Sequence, residues 1–155
     1  MDRVTPLAVV PELAALRPAV TSAEELLQLL AARARDAGYV SAGFAEALLA
    51  RERDHPTGLP LPTPAAIPHA DAVHVERPAL AVALLDPPVT FGEMGSRGRT
   101  VDCHLAVMLL VDSPQDQVPV LGRVLAALRR PDWPELLSRA TDAGELARRF
   151  ADLVD

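Results

Sequence analysis

An α/β or α+β sandwich is the fold class that this 155-residue sequence predicts, on three observations. Two apolar runs of strand length, 79–85 and 101–111, have the pattern of central strands covered on both faces. Segments of helical period stand before and after them, opened by capping sequences and closed by glycine or proline. Half of the residues are hydrophobic and only 3% aromatic, so the core these elements share is aliphatic. At this length one domain over residues 1–155 is expected, burying roughly 70% of the surface that the unfolded chain exposes.

The elements follow in order. Met1-Asp2-Arg3-Val4-Thr5-Pro6 lacks the basic and long apolar regions of a signal peptide. Thr21-Ser22-Ala23-Glu24-Glu25 offers two overlapping capping boxes, and Leu26, Leu27, Leu30 and Ala34 continue at helical spacing until Gly38. This predicts a helix from about 22 to 37. Ser41 is placed to cap a second helix that turns Phe44, Leu48 and Leu49 inward and runs out near Arg51 to Asp54, because Pro56 cannot continue it. Residues 55–68 carry five prolines, which leaves a stiff loop with a short extended piece at Ala65 to Ile67.

Strands are expected over Ala79 to Leu85 and Val101 to Val111. The intervening Phe91-Gly92-Glu93-Met94-Gly95-Ser96-Arg97-Gly98 is turn-rich and expected to be mobile. Ser113-Pro114-Gln115-Asp116 marks the next helix start. Val118, Leu121, Val124, Leu125 and Leu128 give that helix its apolar face, and a regular helix beginning near Asp116 would keep Pro119 in the first turn. Asp132 to Glu135 and Asp142 to Glu145 repeat the capping-box spacing, the second opening a terminal helix with Leu146, Phe150 and Leu153 on one face.

Composition excludes several function classes. The formal net charge of −6 and the shortage of aromatic stacking platforms disfavour nucleic-acid binding, and the basic pairs Arg97-Arg99 and Arg129-Arg130 are explained by solubility. The longest apolar runs, Ala79 to Leu85 and Leu105 to Val111, fall far short of the ~18 residues of a membrane span. Cys103 is the single cysteine and lies in a strand pattern, which fits a reducing compartment. A cytoplasmic protein is expected.

His69, His74 and His104 with Asp71 and Cys103 are metal-ligand types, but none of their spacings is a zinc pattern, and no metal is expected. No Gly-x-Ser-x-Gly elbow is present, and no serine or cysteine stands in a loop with an evident base. His104 alternates within an apolar strand and reads first as a partly buried histidine bonded to a neighbour. Ala66-Ile67-Pro68-His69 invites other chemistry. Pro68 has a locked φ and no N–H and biases Ile67 toward an extended backbone, so the imidazole starts from a restricted position. A neutral imidazole accepts a phosphoryl group on one nitrogen when a hydrogen bond on the other fixes the tautomer. An arginine fork and backbone N–H groups at a helix start are natural donors to the phosphoryl oxygens. Arg51 and the helix start near Asp116 and Gln117 supply them if the fold brings them to His69; otherwise Arg51-Glu52 is a solvated helix end.

Over nearly its whole length the chain resembles the fructose/mannitol-type enzyme IIA domains of the bacterial phosphoenolpyruvate-dependent sugar phosphotransferase system, with the galactitol-like branch nearest. The matching pieces are Arg51-Glu52, Pro56-Thr57-Gly58-Leu59, Ala66-Ile67-Pro68-His69, Asp71, His74-Val75, Pro78-Ala79-Leu80-Ala81-Val82, Pro88-Val89-Thr90-Phe91-Gly92, and the passage Leu109 to Leu128. The resemblance implies the phosphotransferase/anion-transport-like fold, a mixed β-sheet with helices on both faces. It also implies that His69 accepts a phosphoryl group from phosphorylated HPr and passes it to a cysteine of an enzyme IIB, for a membrane sugar permease.

Arg51 matches the family's active-site arginine, with Glu52 and Thr57 as supporting residues. Many members have a second active-site histidine where this chain has Gln117; glutamine donates a hydrogen bond but cannot become cationic. No cofactor is implied. A polyol such as galactitol is the sugar class hinted at, and a regulatory module of the same fold, switched by phosphorylation of His69, is the alternative role.

Overall fold

The computed structural model describes residues 8–155, so the expectation for the first six residues lies outside the described residues. In chain order the elements are β1 (Val9–Leu16), α1 (Ala23–Asp36), α2 (Phe44–Asp54), β2 (Gly58–Leu59), β3 (Ala65–Ala66), β4 (Ala79–Gly92), β5 (Thr100–Leu110), α3 (Pro114–Leu128), α4 (Trp133–Ser138) and α5 (Ala143–Val154). The strands form one five-stranded mixed sheet in the order β1-β4-β5-β3-β2. β1 runs parallel to β4 and β3 parallel to β5, whereas β4 pairs antiparallel with β5 and β2 antiparallel with β3.

The two apolar runs are the central strands, as their lack of alternation requires. Side chains of β4 leave the sheet alternately: Ala79, Ala81, Ala83 and Leu85 join a core with Leu26, Leu30, Phe44 and Leu48 of α1 and α2. Leu80, Val82 and Leu84 join a second core with Val124, Leu137, Leu146 and Phe150 of α3, α4 and α5. Both faces of the strand are therefore dry, and the expected layering of helices on each side is what the structure shows.

Two caps behave as their spacing predicts. The Ser22 hydroxyl accepts from Glu25 N–H at 3.1 Å, and the Asp142 carboxylate accepts from Glu145 N–H at 2.7 Å. Gly38 stops α1 with φ of +82°, a conformation that costs other residues steric strain.

Five expectations need correction. Val118 does not share the apolar face of α3: it is 76% exposed, and Val120 is buried in its place. Ser41 does not cap α2 with its side chain; Gly43 is the cap residue, and the Ser41 carbonyl receives the Phe44 N–H at 3.2 Å. The Asp132 carboxylate does not close a capping box, because both its oxygens are taken by Arg130 at 3.0 and 2.8 Å. α3 begins at Pro114 rather than near Asp116, with Pro114 in the N1 position that proline favours. Pro119 consequently falls in the second turn, where the Gln115 carbonyl loses its helical donor. β4 extends to Gly92, past a register shift between Leu84 and Val89, so Phe91 and Gly92 belong to a strand.

The turn beyond Gly92, expected to be mobile, is tied by hydrogen bonds. Glu93 N–H donates to Arg99 O at 2.9 Å, Ser96 N–H to Glu93 O at 3.2 Å, and Arg99 Nε to Glu93 Oε2 at 2.8 Å. The sequence pattern does not predict β1 or β2. β1 alternates imperfectly and lies at a sheet edge, and β2 is a two-residue strand inside the proline-rich loop.

Candidate functional site

The register of β3 delivers His69. Ala65 and Ala66 pair with Leu105 and Ala106, the Leu109 N–H donates to Pro68 O at 3.0 Å, and His69 makes a parallel bridge to Leu109. The backbone entering the histidine is thus fixed by a central strand as well as by Pro68. The His69 ring is half-buried, and its Nδ1 lies 2.9 Å from Ile67 O. A carbonyl only accepts, so Nδ1 carries the proton and, in the neutral ring, Nε2 is the nitrogen with the bare lone pair. Burial pushes the His69 pKa below its ordinary value of 6.5, with the charge of Arg51 acting in the same direction and the bond to Ile67 and the charge of Asp71 opposing. The ring is neutral at pH 7.

Glu52 and Thr57 support this geometry. Both oxygens of Glu52 accept from Thr57: Oε2 from the backbone N–H at 2.8 Å and Oε1 from the hydroxyl at 2.7 Å. Thr57 is 1% exposed, and its carbonyl accepts the Ile67 N–H at 3.3 Å. The end of α2 is therefore linked through Thr57 to Ile67, the residue whose carbonyl orients His69. Burial pushes the Glu52 carboxyl above its ordinary value, opposed by the two bonds from Thr57 and by the Arg51 charge.

A surface cleft of about 440 Å³ joins these parts. It is lined by Arg51 and His55 from the end of α2, by Thr57, by His69, and by Met94 and Arg97 from the turn between β4 and β5. Arg51 and His69 are thus together, as the sequence required for phosphate chemistry. Gln117 is in the first turns of α3, half-buried, and is not among the residues that line the cleft. Arg97 is there instead, a residue that the sequence reading assigned to solubility. Its signal was weak, an arginine between two glycines in a turn, and only the pairing of Gly58 with Glu93 reveals which site that turn reaches.

The remaining candidates lie apart from the cleft. Cys103 is buried, and its thiol is pushed up to about 12, chiefly by burial and then by the charge of Glu52, so it stays protonated. His104 is half-buried on β5, its N–H bonded to Pro64 O at 2.9 Å. His74 ends a single 3₁₀ turn at Ala72–His74, and its carbonyl accepts the Ser41 N–H at 2.9 Å. Among the described residues no group of three or more His, Cys, Asp or Glu side chains is arranged to hold a metal ion. No helix among them is long and apolar enough to cross a membrane.

Comparison with known proteins decides the family. The family described as "Phosphoenolpyruvate-dependent sugar phosphotransferase system, EIIA 2" matches residues 9–152. The chain belongs to this enzyme IIA family. Within it, the galactitol-specific EIIA component of Escherichia coli K12 is 34% identical over 101 residues, covering 64% of this chain and 67% of the relative. Similar solved structures include a complex of enzyme IIAMTL and phosphorylated enzyme IIBMTL from Escherichia coli, with a TM-score of 0.72, 21% identity and coverage of 91% and 95% of the two chains. Another is the nitrogen regulatory protein IIA-Ntr of Neisseria meningitidis, with a TM-score of 0.73, 22% identity and coverage of 94% of each chain. At these identities the structures establish a shared fold, and the enzyme IIA family with its galactitol-specific relatives establishes a phosphotransferase-system component of the mannitol/galactitol type.

Proposed function

We propose that this enzyme IIA protein is a phosphocarrier that takes a phosphoryl group on Nε2 of His69 from phosphorylated HPr and gives it to a cysteine of an enzyme IIB. The observation that carries the proposal is the bare, neutral Nε2 of a backbone-fixed histidine in a cleft that also holds Arg51. The Nε2 lone pair attacks phosphorus as the bond from phosphorus to the donor nitrogen breaks, and that bonding pair returns to the donor ring. The imidazolium that results keeps its Nδ1 proton on Ile67 O, which stabilises the developing charge. Transfer to a thiolate reverses these roles.

Arg51 holds the phosphoryl oxygens with its fork, since such transfers depend on positioning and charge stabilisation. Gln117, outside the residues that line the cleft, is given no phosphoryl contact. The galactitol-specific relatives favour transport of a polyol over the regulatory role, whereas the fold is common to transport and regulatory proteins and does not separate them.

The test is incubation with enzyme I, HPr and labelled phosphoenolpyruvate. Acid-labile, base-stable label is expected on the wild type and absent from His69→Ala. Label that persists on the folded variant overturns the assignment. Transfer onward to the cysteine of a galactitol-type enzyme IIB distinguishes a transport carrier from a regulator, which would load and then bind a partner without passing the group on.

A further inference from the structure

We propose that Arg97 is a second phosphoryl-binding cation, reaching the group on His69 from the β4–β5 turn as Arg51 reaches it from the end of α2. The inference rests on His69 as the carrier and adds a residue from a different part of the fold. The β4–β5 turn is carried to the site by the long strand pair. Past the register shift in β4 the ribbon reaches β2, where Met94 N–H donates to Gly58 O at 2.8 Å and Glu93 bridges Gly58. Gly58 is the neighbour of Thr57, so the turn is fastened to the same segment that orients Ile67.

Inside the turn, Gly95 and Gly98 have φ of +76° and +95°. These left-handed positions, which glycine adopts without strain, bracket Ser96 and Arg97 and reverse the chain there. The Ser96 hydroxyl donates to Glu93 O at 3.1 Å and holds the near side of the reversal.

Charge singles out the residue. Arg99, two positions on, is bonded to Glu93 at 2.8 Å, whereas Arg97 and Arg51 form no ion pair among the described residues. The charged groups on the cleft wall are Arg51, Arg97 and Asp54, and the imidazoles of His55 and His69 stand beside them. A phosphoryl group in transfer spreads its charge over three equatorial oxygens, and one planar guanidinium reaches two of them. A second fork, carried by the β4–β5 turn, reaches the third.

The experiment uses phosphoramidate, a donor with no protein surface, so that phosphoryl contact is separated from partner docking. The His69 Nε2 lone pair attacks phosphorus of the N-protonated donor, and the leaving nitrogen, already carrying three protons, departs with its bonding pair as ammonia. Loading of the whole protein is followed by phosphorus NMR for wild type, Arg97→Ala, Arg97→Lys and Arg51→Ala. Arg129→Ala, an exposed residue away from the cleft, serves as the control of equal charge change. Loss of a charge-assisted contact should slow Arg97→Ala roughly tenfold or more, with Arg97→Lys intermediate and Arg129→Ala at the wild-type rate.

Arg97→Ala loading at the wild-type rate overturns the inference. So does slowing confined to phosphorylated HPr as donor, which would make Arg97 a partner contact only. If wild type itself takes no label on His69, the carrier assignment fails instead, and the two failures are told apart in one series.

Discussion

Replacing Gly58 by alanine tests whether the fold builds the cleft as described. An added Cβ would stand 2.5 Å from Val101 Cγ2, 2.6 Å from Gly92 O and 3.1 Å from Phe91 Cβ. Gly92 O is strand backbone, and Phe91 is 1% exposed in the core, so neither yields easily. Ordinary contact begins at 3.4 Å against 2.6 Å here, so the start of β2 and the end of β4 must part by about 0.8 Å. Overpacking of this kind costs about 1–3 kcal/mol, which at this chain length lowers Tm by roughly 3–9 °C. The same movement strains the Met94–Gly58 hydrogen bond and shifts Thr57, so loading of His69 slows as well. Thermal unfolding by circular dichroism and a single-turnover loading assay measure the two effects. Gly122→Ala is the opposite case: that glycine is exposed in the middle of α3 with nothing within 4 Å of an added Cβ. Helix propensity then predicts a gain of about 1 kcal/mol. A Gly58→Ala protein with unchanged Tm and wild-type loading would refute the close approach and its link to the site.

Three other outcomes follow from the cleft. Arg51→Ala should stay folded, because the residue is exposed, and should load roughly tenfold more slowly. Removing that cation should also raise the His69 pKa, read by proton NMR titration of the ring. Thr57→Val keeps the backbone bond to Glu52 but deletes the hydroxyl bond at 2.7 Å, leaving a half-buried carboxylate oxygen without its donor; a loss of about 1–3 kcal/mol is expected in chemical denaturation. The Glu52 pKa should rise further, since that bond now holds it down. Loading from phosphoramidate should hold through neutrality and fall only below pH 6.5, because the folded ring resists protonation and the protonated ring has no lone pair to offer. The sign for stability agrees: the His69 pKa is lower in the fold than in the unfolded chain, so a proton is taken up on unfolding and acid below 6.5 destabilises the protein through this residue. A loading rate that rises toward acid would refute the neutral-nucleophile reading.

Much of the architecture was legible because hydrophobic period and capping act locally. The apolar runs could only be strands covered on both faces, and the Ser22 and Asp142 caps open their helices where the spacing places them. Failures came where a partner elsewhere competed. The Asp132 side chain makes no capping bond and is held by Arg130 instead, and α3 starts earlier because Pro114 is a better first residue than the placement of Pro119 suggests. The sharpest limit concerned Arg97, whose neighbours in sequence say only that it sits in a turn.

Residue types alone determined that His69 would start from a constrained backbone, that the core would be aliphatic, and that Arg51 would end a helix, since proline geometry, side-chain chemistry and helix termination act over a few residues. Tertiary structure alone decided which imidazole nitrogen is bare, that Glu52 reaches His69 through Thr57 and Ile67, and that a turn between two strands brings a second arginine to the cleft. Those facts depend on sheet order and strand register, which pair residues tens of positions apart and which no local pattern encodes.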